Sequence, residues 1–304
     1  MRRFLLGIAG LAGLLLAACS QADEVATGPA AYAGPPKPAL WKIADADTTL
    51  YLFGTMHLLP PGLDWETPAF RQAFTDADTL YLEADTNLPP AEITAIIQRI
   101  GLLPPDRRLS DLLDPAQKEA LRAAGSRFRI SSVVLEQMRP WYASVMISDA
   151  AIREAGFAQD SGVEVLLRPA ATEAGKQLRY LETVEGQLSA FTVLPDAAQV
   201  KMLTASMTDL DATGEGLTEM VSAWRSGDDK TLARLVVDEQ LATQPEVYET
   251  LMVRRNTEWA PQLDALLRNE TGVFMIAVGA GHLQGEDSVL ALMERLGHVP
   301  VRVQ

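Results

Sequence analysis

The sequence predicts an α/β (α+β) protein with a mixed central β-sheet, built from two diverged halves with large helical insertions. Short apolar segments typical of strands fall into two groups, over residues 41–83 and 178–303. Long stretches with the three-to-four-residue spacing of helices lie between the strands. With 304 residues, 48% of them hydrophobic, the chain is long and apolar enough to bury a large core.

The first 39 residues are predicted to be a targeting segment and a linker. Residues 1–18 combine two arginines with an uncharged apolar run and small residues at its end, which is the pattern of a signal peptide. Leu16-Ala17-Ala18-Cys19 has the form of a bacterial lipobox, so we expect Cys19 to carry lipid and anchor the protein in the outer membrane, at its periplasmic face. Residues 19–39 are rich in Gly, Ala and Pro, which indicates a flexible linker before a domain over 40–304.

The composition excludes several classes of function. A formal net charge of −14 argues against binding of nucleic acid, which requires basic patches. The single cysteine excludes intramolecular disulfides and cysteine-rich metal sites. Zinc-helix, nucleophile-elbow, P-loop and dinucleotide motifs are absent from the sequence. Any histidine chemistry must use His57, His282 or His298.

The first strands come directly after the linker. Trp41–Ala44 and Thr49–Phe53 carry β-favouring residues on both sides of Asp45-Ala46-Asp47, which predicts a hairpin. Pro68–Asp76 then has helical spacing, and Thr79–Glu83 is a short apolar strand.

Two helical blocks separate the remaining strands. In the first, a helical insert over about 89–175, prolines near several starts suit the first turn of a helix, and the predicted helices are Pro90–Ile100, Pro115–Ala124, Ser132–Ala155 and Gly162–Ala174. A strand over Leu178–Glu182 follows. The second block runs from Asp196 to about Leu267, with predicted breaks at Gly214-Glu215-Gly216 and Gly227-Asp228. The predicted final elements are a strand over Val273–Val278, a helix near Asp287–Leu296 and a strand over Val299–Val303.

Two of the three histidines share one local context. A buried strand leads into Gly54-Thr55-Met56-His57-Leu58, and another leads into Gly279-Ala280-Gly281-His282-Leu283. In each case glycine ends the strand and allows another group to approach closely. His298, which precedes the last strand, is interpreted as a turn residue.

A second repeated motif places a carboxylate at a strand end in each half, in Tyr81-Leu82-Glu83 and Tyr180-Leu181-Glu182. Ligands of open α/β sheets bind beyond the carboxyl ends of the strands. If the strands are neighbours, we expect His57, His282, Glu83 and Glu182 to converge there. Two imidazoles with one or two carboxylates can hold a divalent metal and a water, or act as general bases.

Four ordered motifs make the sequence resemble the TraB/GumN family from about Leu40 to the C-terminus. They are Gly54–His57, Leu181–Gln187, Arg255–Trp259 and Val278–Leu283. The family is related to Tiki proteases, erythromycin-esterase-like enzymes and ChaN-like proteins. Three places depart from its pattern: Arg254 replaces an acidic residue, Glu164 stands where many members carry aspartate, and Glu83-Ala84-Asp85 is a mild variant of the usual acidic segment.

The resemblance implies a hydrolase-like site. By similarity to the metal-dependent Tiki branch, His57, Glu83 and His282 are expected to be catalytic residues and ligands of a divalent metal such as Mn, Co or Zn. Arg255 is expected to stabilise an oxyanion. Supporting positions around these groups are Glu182, Asn256, Gly54 and Gly279.

The leading hypothesis is therefore a metal-dependent, peptidase-like hydrolase of the cell envelope, acting on a peptide or small molecule. The esterase branch implies an alternative, a metal-free esterase or amidase. The ChaN-like branch implies another, a non-catalytic envelope protein that binds haem or a metal ion. A degenerate scaffold whose helical insert contacts envelope partners is a further alternative.

Overall fold

The computed structural model describes Tyr32 and residues 34–304. The predicted signal peptide, Cys19 and most of the predicted linker lie outside these residues. At the end of the linker, the backbone N–H of Lys37 donates to the carbonyl of Arg225 at 2.6 Å. No helix within the described part of the chain is long and apolar enough to span a bilayer.

A six-stranded mixed sheet lies at the centre, with the order β4-β3-β5-β2-β1-β6. The strands are β1 Leu40–Ala44, β2 Thr48–Thr55, β3 Thr79–Leu82, β4 Gln177–Tyr180, β5 Gly272–Gly279 and β6 Val301–Arg302. The four strands β4, β3, β5 and β2 are parallel, whereas β1 pairs antiparallel with both β2 and β6. Strands from the two predicted groups are intermixed, because β5 lies between β3 and β2. The predicted α/β class with a mixed sheet is confirmed.

Helices occupy most of the remaining chain. They are α1 Pro68–Asp76, α2 Pro90–Ile100, α3 Pro115–Arg127, α4 Ser132–Leu135, α5 Pro140–Glu154, α6 Val163–Glu173, α7 Val184–Thr192, α8 Asp196–Ser206, α9 Thr213–Ser226, α10 Asp229–Ala233, α11 Glu239–Thr243, α12 Pro245–Tyr248, α13 Arg254–Asn269 and α14 Val289–Arg295. Short 3₁₀ turns cover Leu109–Leu112, Leu210–Ala212 and Ala280–Leu283. Two π-helical turns, Arg234–Asp238 and Glu249–Val253, join α10 to α11 and α12 to α13.

Both faces of the sheet are covered, so its central strands are apolar on both sides. Met275 and Ala277 of β5 pack in one core with α1 and α9. The alternate residues Phe274 and Ile276 pack in a second core with α13 and α14. Burial on both faces explains why β5 reads as a continuous apolar run.

The register of β2 and β5 sets the position of both histidine motifs. The two strands pair in parallel from Thr48 opposite Gly272 to Thr55 opposite Gly279. Their carboxyl ends therefore lie side by side, and so do the segments that follow them. β3, which leads into Glu83, pairs with the other side of β5.

The helical blocks differ from the prediction in particular places. The predicted helix Ser132–Ala155 is two helices, because Pro140 begins α5 and has no N–H with which to continue a preceding helix. Gly214-Glu215-Gly216 does not break the helical block, because it lies in the first turn of α9. The break between α8 and α9 lies instead at Asp209, whose φ is +53°. A further break at Gln244, before α12, was not predicted, and the last strand is shorter than predicted.

Candidate functional site

His57, Glu83 and His282 meet around Gly279, beyond the carboxyl ends of the parallel strands. A Cβ placed on Gly279 would lie 3.1 Å from both His57 Nε2 and Glu83 Oε1, and 3.6 Å from His282 Cδ2. Glu83 Oε1 is 4.0 Å from His57 Nε2 and 3.8 Å from His282 Nε2. The missing side chain of Gly279 leaves open the space that these three groups face.

Glu83 is a buried carboxylate with donors on both oxygens. Its Oε1 accepts from the backbone N–H of Gly279 at 2.7 Å. Its Oε2 accepts from Gln187 Nε2 at 2.9 Å and from Arg255 Nη2 at 2.5 Å. Burial alone would raise the pKa of Glu83, but Arg255, the two histidines and the Gly279 N–H hold it well below its usual range. Glu83 is therefore ionised.

Arg255, in the first turn of α13, is a buried cation between two carboxylates. Besides its bond to Glu83, it donates from Nε and Nη2 to Glu182 Oε1 at 2.9 and 2.5 Å. Its guanidinium stacks over Trp259, 4.6 Å from the ring centroid. Burial raises the pKa of Glu182 to about 7 against the opposing pull of Arg255. Five fixed contacts leave the guanidinium preorganised.

His57 is paired with Glu164, at the start of α6. The Nδ1 of His57 donates to Glu164 Oε1 at 2.6 Å, and Thr55 Oγ1 donates to the same oxygen. Burial alone would lower the pKa of His57, but the charge and hydrogen bond of Glu164, reinforced by Glu83, raise it to about 9. Nε2 is left facing the space at Gly279.

Gly162 lets α6 approach closely enough for this pairing. A Cβ on Gly162 would collide with the carbonyl of His57. The next residue, Val163, donates its N–H to the carbonyl of Met56 at 3.0 Å. The start of α6 is thus fastened to the histidine loop by backbone contacts.

His282, in the 3₁₀ turn after β5, is held in one tautomer. Asn256 Nδ2 donates to the carbonyl of Asp287 at 2.7 Å, so its Oδ1 is the atom that faces His282 Nδ1 at 2.6 Å. Nδ1 therefore carries the proton, and Nε2 accepts from Arg255 Nη1 at 3.1 Å. Burial and the nearby Arg255 lower the pKa of His282 to about 3, so the ring is neutral.

The other predicted positions support these groups or lie apart from them. A Cβ on Gly54 would lie 2.9 Å from the Cα of Ala280, so the two histidine segments pack directly on each other only because residue 54 is glycine. His298 lies outside the group; its Nε2 is 2.7 Å from Asp264 Oδ1.

The sequence did not identify two residues of this site as functional. The sequence identified Glu164 only as a departure from the family pattern, and Gln187 only as the last residue of a motif. Both lie on helices far along the chain from the residues they contact. The signal for Gln187 was its place in the motif that contains Glu182, whereas no local pattern links Glu164 to His57.

His57 lines two cavities. One, of about 80 Å³, is lined by Arg255 and His282 and otherwise mainly by apolar side chains. The other, of about 50 Å³, is lined by Glu83, Glu164 and other polar side chains. The candidate acid–base residue thus borders both cavities.

The residues fit a divalent metal in donor type but not in their present arrangement. Each histidine has Nδ1 bonded to a side-chain oxygen, as metal-bound histidines do, and both Nε2 atoms face Glu83 Oε1. However, Arg255 occupies the lone pair of His282 Nε2, and the ligand separations exceed the roughly 3.3 Å expected around a tetrahedral zinc. Among the described residues, no group of three His, Cys, Asp or Glu forms a metal site.

Comparisons with known proteins give a family and one distant relative. The model of the TraB/PrgY/gumN family matches residues 39–302. The chain is 24% identical over 311 aligned residues to Metalloprotease TIKI1 of Danio rerio, covering 85% of this chain and 62% of that protein. It therefore spans less than two thirds of the length of this relative. No solved structure matches the chain.

Proposed function

The chain belongs to the TraB/PrgY/gumN family, as its motifs predicted, and we propose that it is a hydrolase with its catalytic residues around Gly279. The observation that carries the proposal is the meeting of His57 and His282 at Gly279, with Arg255 lining the same cavity. His57 is carboxylate-paired, His282 is a neutral ring, and Arg255 is a fixed cation. General acid–base hydrolysis of an ester or amide needs a proton carrier beside a stabiliser of negative charge.

In this mechanism His57 moves the proton. Its unprotonated Nε2 takes a proton from the attacking water, and Glu164 stabilises the resulting imidazolium through Nδ1. The same Nε2–H then protonates the leaving group. Because the pKa of His57 is about 9, the basic form is a minority at neutral pH, and the rate should rise with pH towards 9.

Arg255 supplies the charge that the tetrahedral intermediate requires. It lines the same cavity as His57 and His282, and Glu83 and Glu182 hold its guanidinium in place. All five N–H donors of Arg255 are engaged in the contacts described above, so Arg255 would act on the oxyanion through its positive charge, or by releasing His282 Nε2. His282, held by Asn256, fixes the opposite side of the guanidinium.

The test is hydrolysis of a panel of fluorogenic esters and peptides by the wild type and single variants. His57→Ala should lose at least about 100-fold in kcat/KM on any substrate found, since a general base contributes about that much or more. His298→Ala is the matched control because His298 lies outside the site. Absence of hydrolysis across the panel, or an unaffected His57→Ala, would overturn the proposal.

A metal-assisted form of the same site is the second candidate. It is favoured by the two Nε2 atoms that face Glu83 Oε1, and by the similarity to a protein named a metalloprotease. A divalent ion held by His57, His282 and Glu83 would supply Lewis-acid activation of water, and Arg255 would have to release His282 Nε2.

Metal analysis separates the two candidates. The metal-assisted form predicts close to one equivalent of Mn, Co or Zn in the wild type and in His298→Ala, and loss of it in His282→Ala. It also predicts inactivation by chelators, reversed by adding the metal. Full activity after exhaustive chelation would instead support the metal-free esterase or amidase.

We further propose that Cys19 is lipidated and holds the protein at the periplasmic face of the outer membrane. The lipobox over residues 16–19 and the Pro-rich segment after it support this. Mass spectrometry of the mature N-terminus should find acylated Cys19. Cys19→Ala should release the protein from the membrane fraction, and a membrane-bound Cys19→Ala would contradict the proposal.

A further inference from the structure

The two cavities beside His57 differ in chemical character. The walls of the larger one come from α9, α10 and the two π-helical turns, and include Leu217, Met220, Leu232, Val236 and Met252. Most of the exposed lining of the smaller one is also apolar, but seven of its ten lining residues carry a polar or charged group. A substrate with its scissile bond beside His57 would therefore have apolar side chains around one part and several polar groups near the other.

We propose that the larger cavity, named here the acyl cavity, binds a short branched aliphatic group on the acyl side of the substrate. The smaller one, the leaving-group cavity, binds the departing amine or alcohol. This inference rests on the proposed hydrolase function and assigns its substrate class: an amide or ester with a small branched aliphatic acyl group.

The acyl cavity fits such a group in size and in charge. Its volume of about 80 Å³ is roughly half that of a 150 Å³ apolar cavity that binds benzene, which suits a group of three or four carbons. Its methionine walls adapt to branched shapes. Arg255 and His282 line the same cavity, so the carboxylate of the acid product would meet a cation while its aliphatic group is buried.

The leaving-group cavity offers mainly hydrogen-bond acceptors. Glu83 and Glu164 line it, and so does Gln187, whose buried Oε1 has no hydrogen-bond partner among the described residues. Arg168 also lines it but already donates to Asp85 Oδ1 at 2.6 Å and to Thr86 Oγ1 at 2.8 Å. A ligand with an N–H or O–H donor would therefore pair with Gln187 Oε1, which the described residues leave without a donor.

The arrangement also fits the path of the proton. His57 lines both cavities, so a scissile bond spanning them would place its leaving atom near the imidazole. Protonation of that atom by Nε2–H breaks the carbon–heteroatom bond and releases the amine or alcohol. The hydroxyl taken from water stays on the acyl carbon, and the acid remains beside Arg255.

Product-like ligands test the acyl cavity without any need for turnover. Isovalerate and acetate are titrated into the full chain while the histidine ring signals are followed by NMR. Isovalerate buries three more carbons, and each buried CH₂ strengthens binding about fourfold, so we expect it to bind about 60-fold more tightly. Equal affinities for the two acids would overturn the assignment.

Variants of Val236 locate the effect. Val236→Phe fills the cavity and should remove the advantage of isovalerate, whereas Val193→Phe, at a 59% exposed position, should keep it. Val236→Ala enlarges the cavity and should shift the preference towards 3,3-dimethylbutyrate, which keeps the test valid if Val236→Phe does not fold. Unchanged preferences in both Val236 variants would overturn the assignment.

Ethylammonium and ethanol serve as probes for the leaving-group cavity. Tighter binding of ethylammonium indicates an amide substrate, and tighter binding of ethanol indicates an ester. Gln187→Leu should weaken whichever binds by a larger factor than it weakens isovalerate; an equal or smaller effect on that probe would overturn this half of the inference. Isovalerate binding without hydrolysis would overturn only the proposed function, and hydrolysis indifferent to acyl size would overturn only this inference.

Discussion

Replacing Glu164 with glutamine should remove most of the electrostatic stabilisation of the protonated His57 ring, and so lower its pKa. The pKa of His57 is about 9 rather than its ordinary 6.5, a difference worth about 3 kcal/mol between the charged and neutral rings. The main source is Glu164, whose Oε1 is 2.6 Å from Nδ1 in a contact where the side chains are only 18% and 16% exposed. In Glu164→Gln, burial and Arg255 still lower the pKa of His57 and only Glu83 raises it, so it should fall to 6.5 or below.

The assay is a pH titration of ¹³C-labelled histidine rings by NMR, in which a chain with three histidines gives few signals. Glu164→Asp, which keeps the charge, should hold the pKa of His57 well above 6.5.

The free energy of unfolding gives a second readout. Because the folded-state pKa lies above the unfolded value, the Glu164 contribution is complete below pH 6.5 and is lost as pH rises through 9. The free energies of unfolding of wild type and Glu164→Gln should therefore differ most, by at most about 3 kcal/mol, near pH 6. A His57 pKa that stays near 9 in Glu164→Gln would show that Glu164 is not what raises it.

Other substitutions test the groups around this pair. Arg255→Ala should lower the free energy of unfolding by about 3–5 kcal/mol, because Glu83 and Glu182 stay buried without their cation; a urea titration showing a loss below about 1 kcal/mol would contradict this. The pKa of Glu182 is about 7, above its unfolded value of 4.5, so its contribution to stability is complete below pH 4.5 and lost as pH rises through 7. Glu182→Gln should flatten that part of the stability profile, and an unchanged profile would argue against it. Gly279→Ala puts a methyl group 3.1 Å from His57 Nε2 and should reduce any hydrolysis at least about 100-fold while the far-ultraviolet circular dichroism stays native; retained activity would show that this space is not used.

The meeting of the two histidine segments could be predicted because its causes are local. The strands before Gly54 and Gly279 are apolar runs ended by glycine, and parallel strands bring their carboxyl ends to one edge of a sheet. Glu83 follows for the same reason, since β3 is the other neighbour of β5. The mixed sheet and most helices could likewise be predicted from the spacing of apolar residues and the positions of prolines.

The partners supplied by helices could not be predicted in this way. Glu164 reaches His57 only because α6 docks on the histidine loop through Gly162, and no local pattern encodes that docking. Gln187 reaches Glu83 through the packing of α7. The helix break at Pro140 was missed because apolar spacing continues through it, whereas the fold is decided there by the absent N–H of proline.

The π-helical turn over Glu249–Val253 determines where Arg255 and Asn256 point. A π turn closes on i→i+5 bonds, so it holds one residue more than an α-helical turn. Without that residue, everything downstream in α13 would be rotated by about 100° relative to α12. The side chain that neutralises two buried carboxylates and the amide that fixes the tautomer of His282 would then both swing away from the strand ends. The extra residue of this turn thus sets the orientation of Arg255 and Asn256 together. Deleting any single residue from the turn should therefore disrupt the contacts of both side chains while leaving the sheet intact.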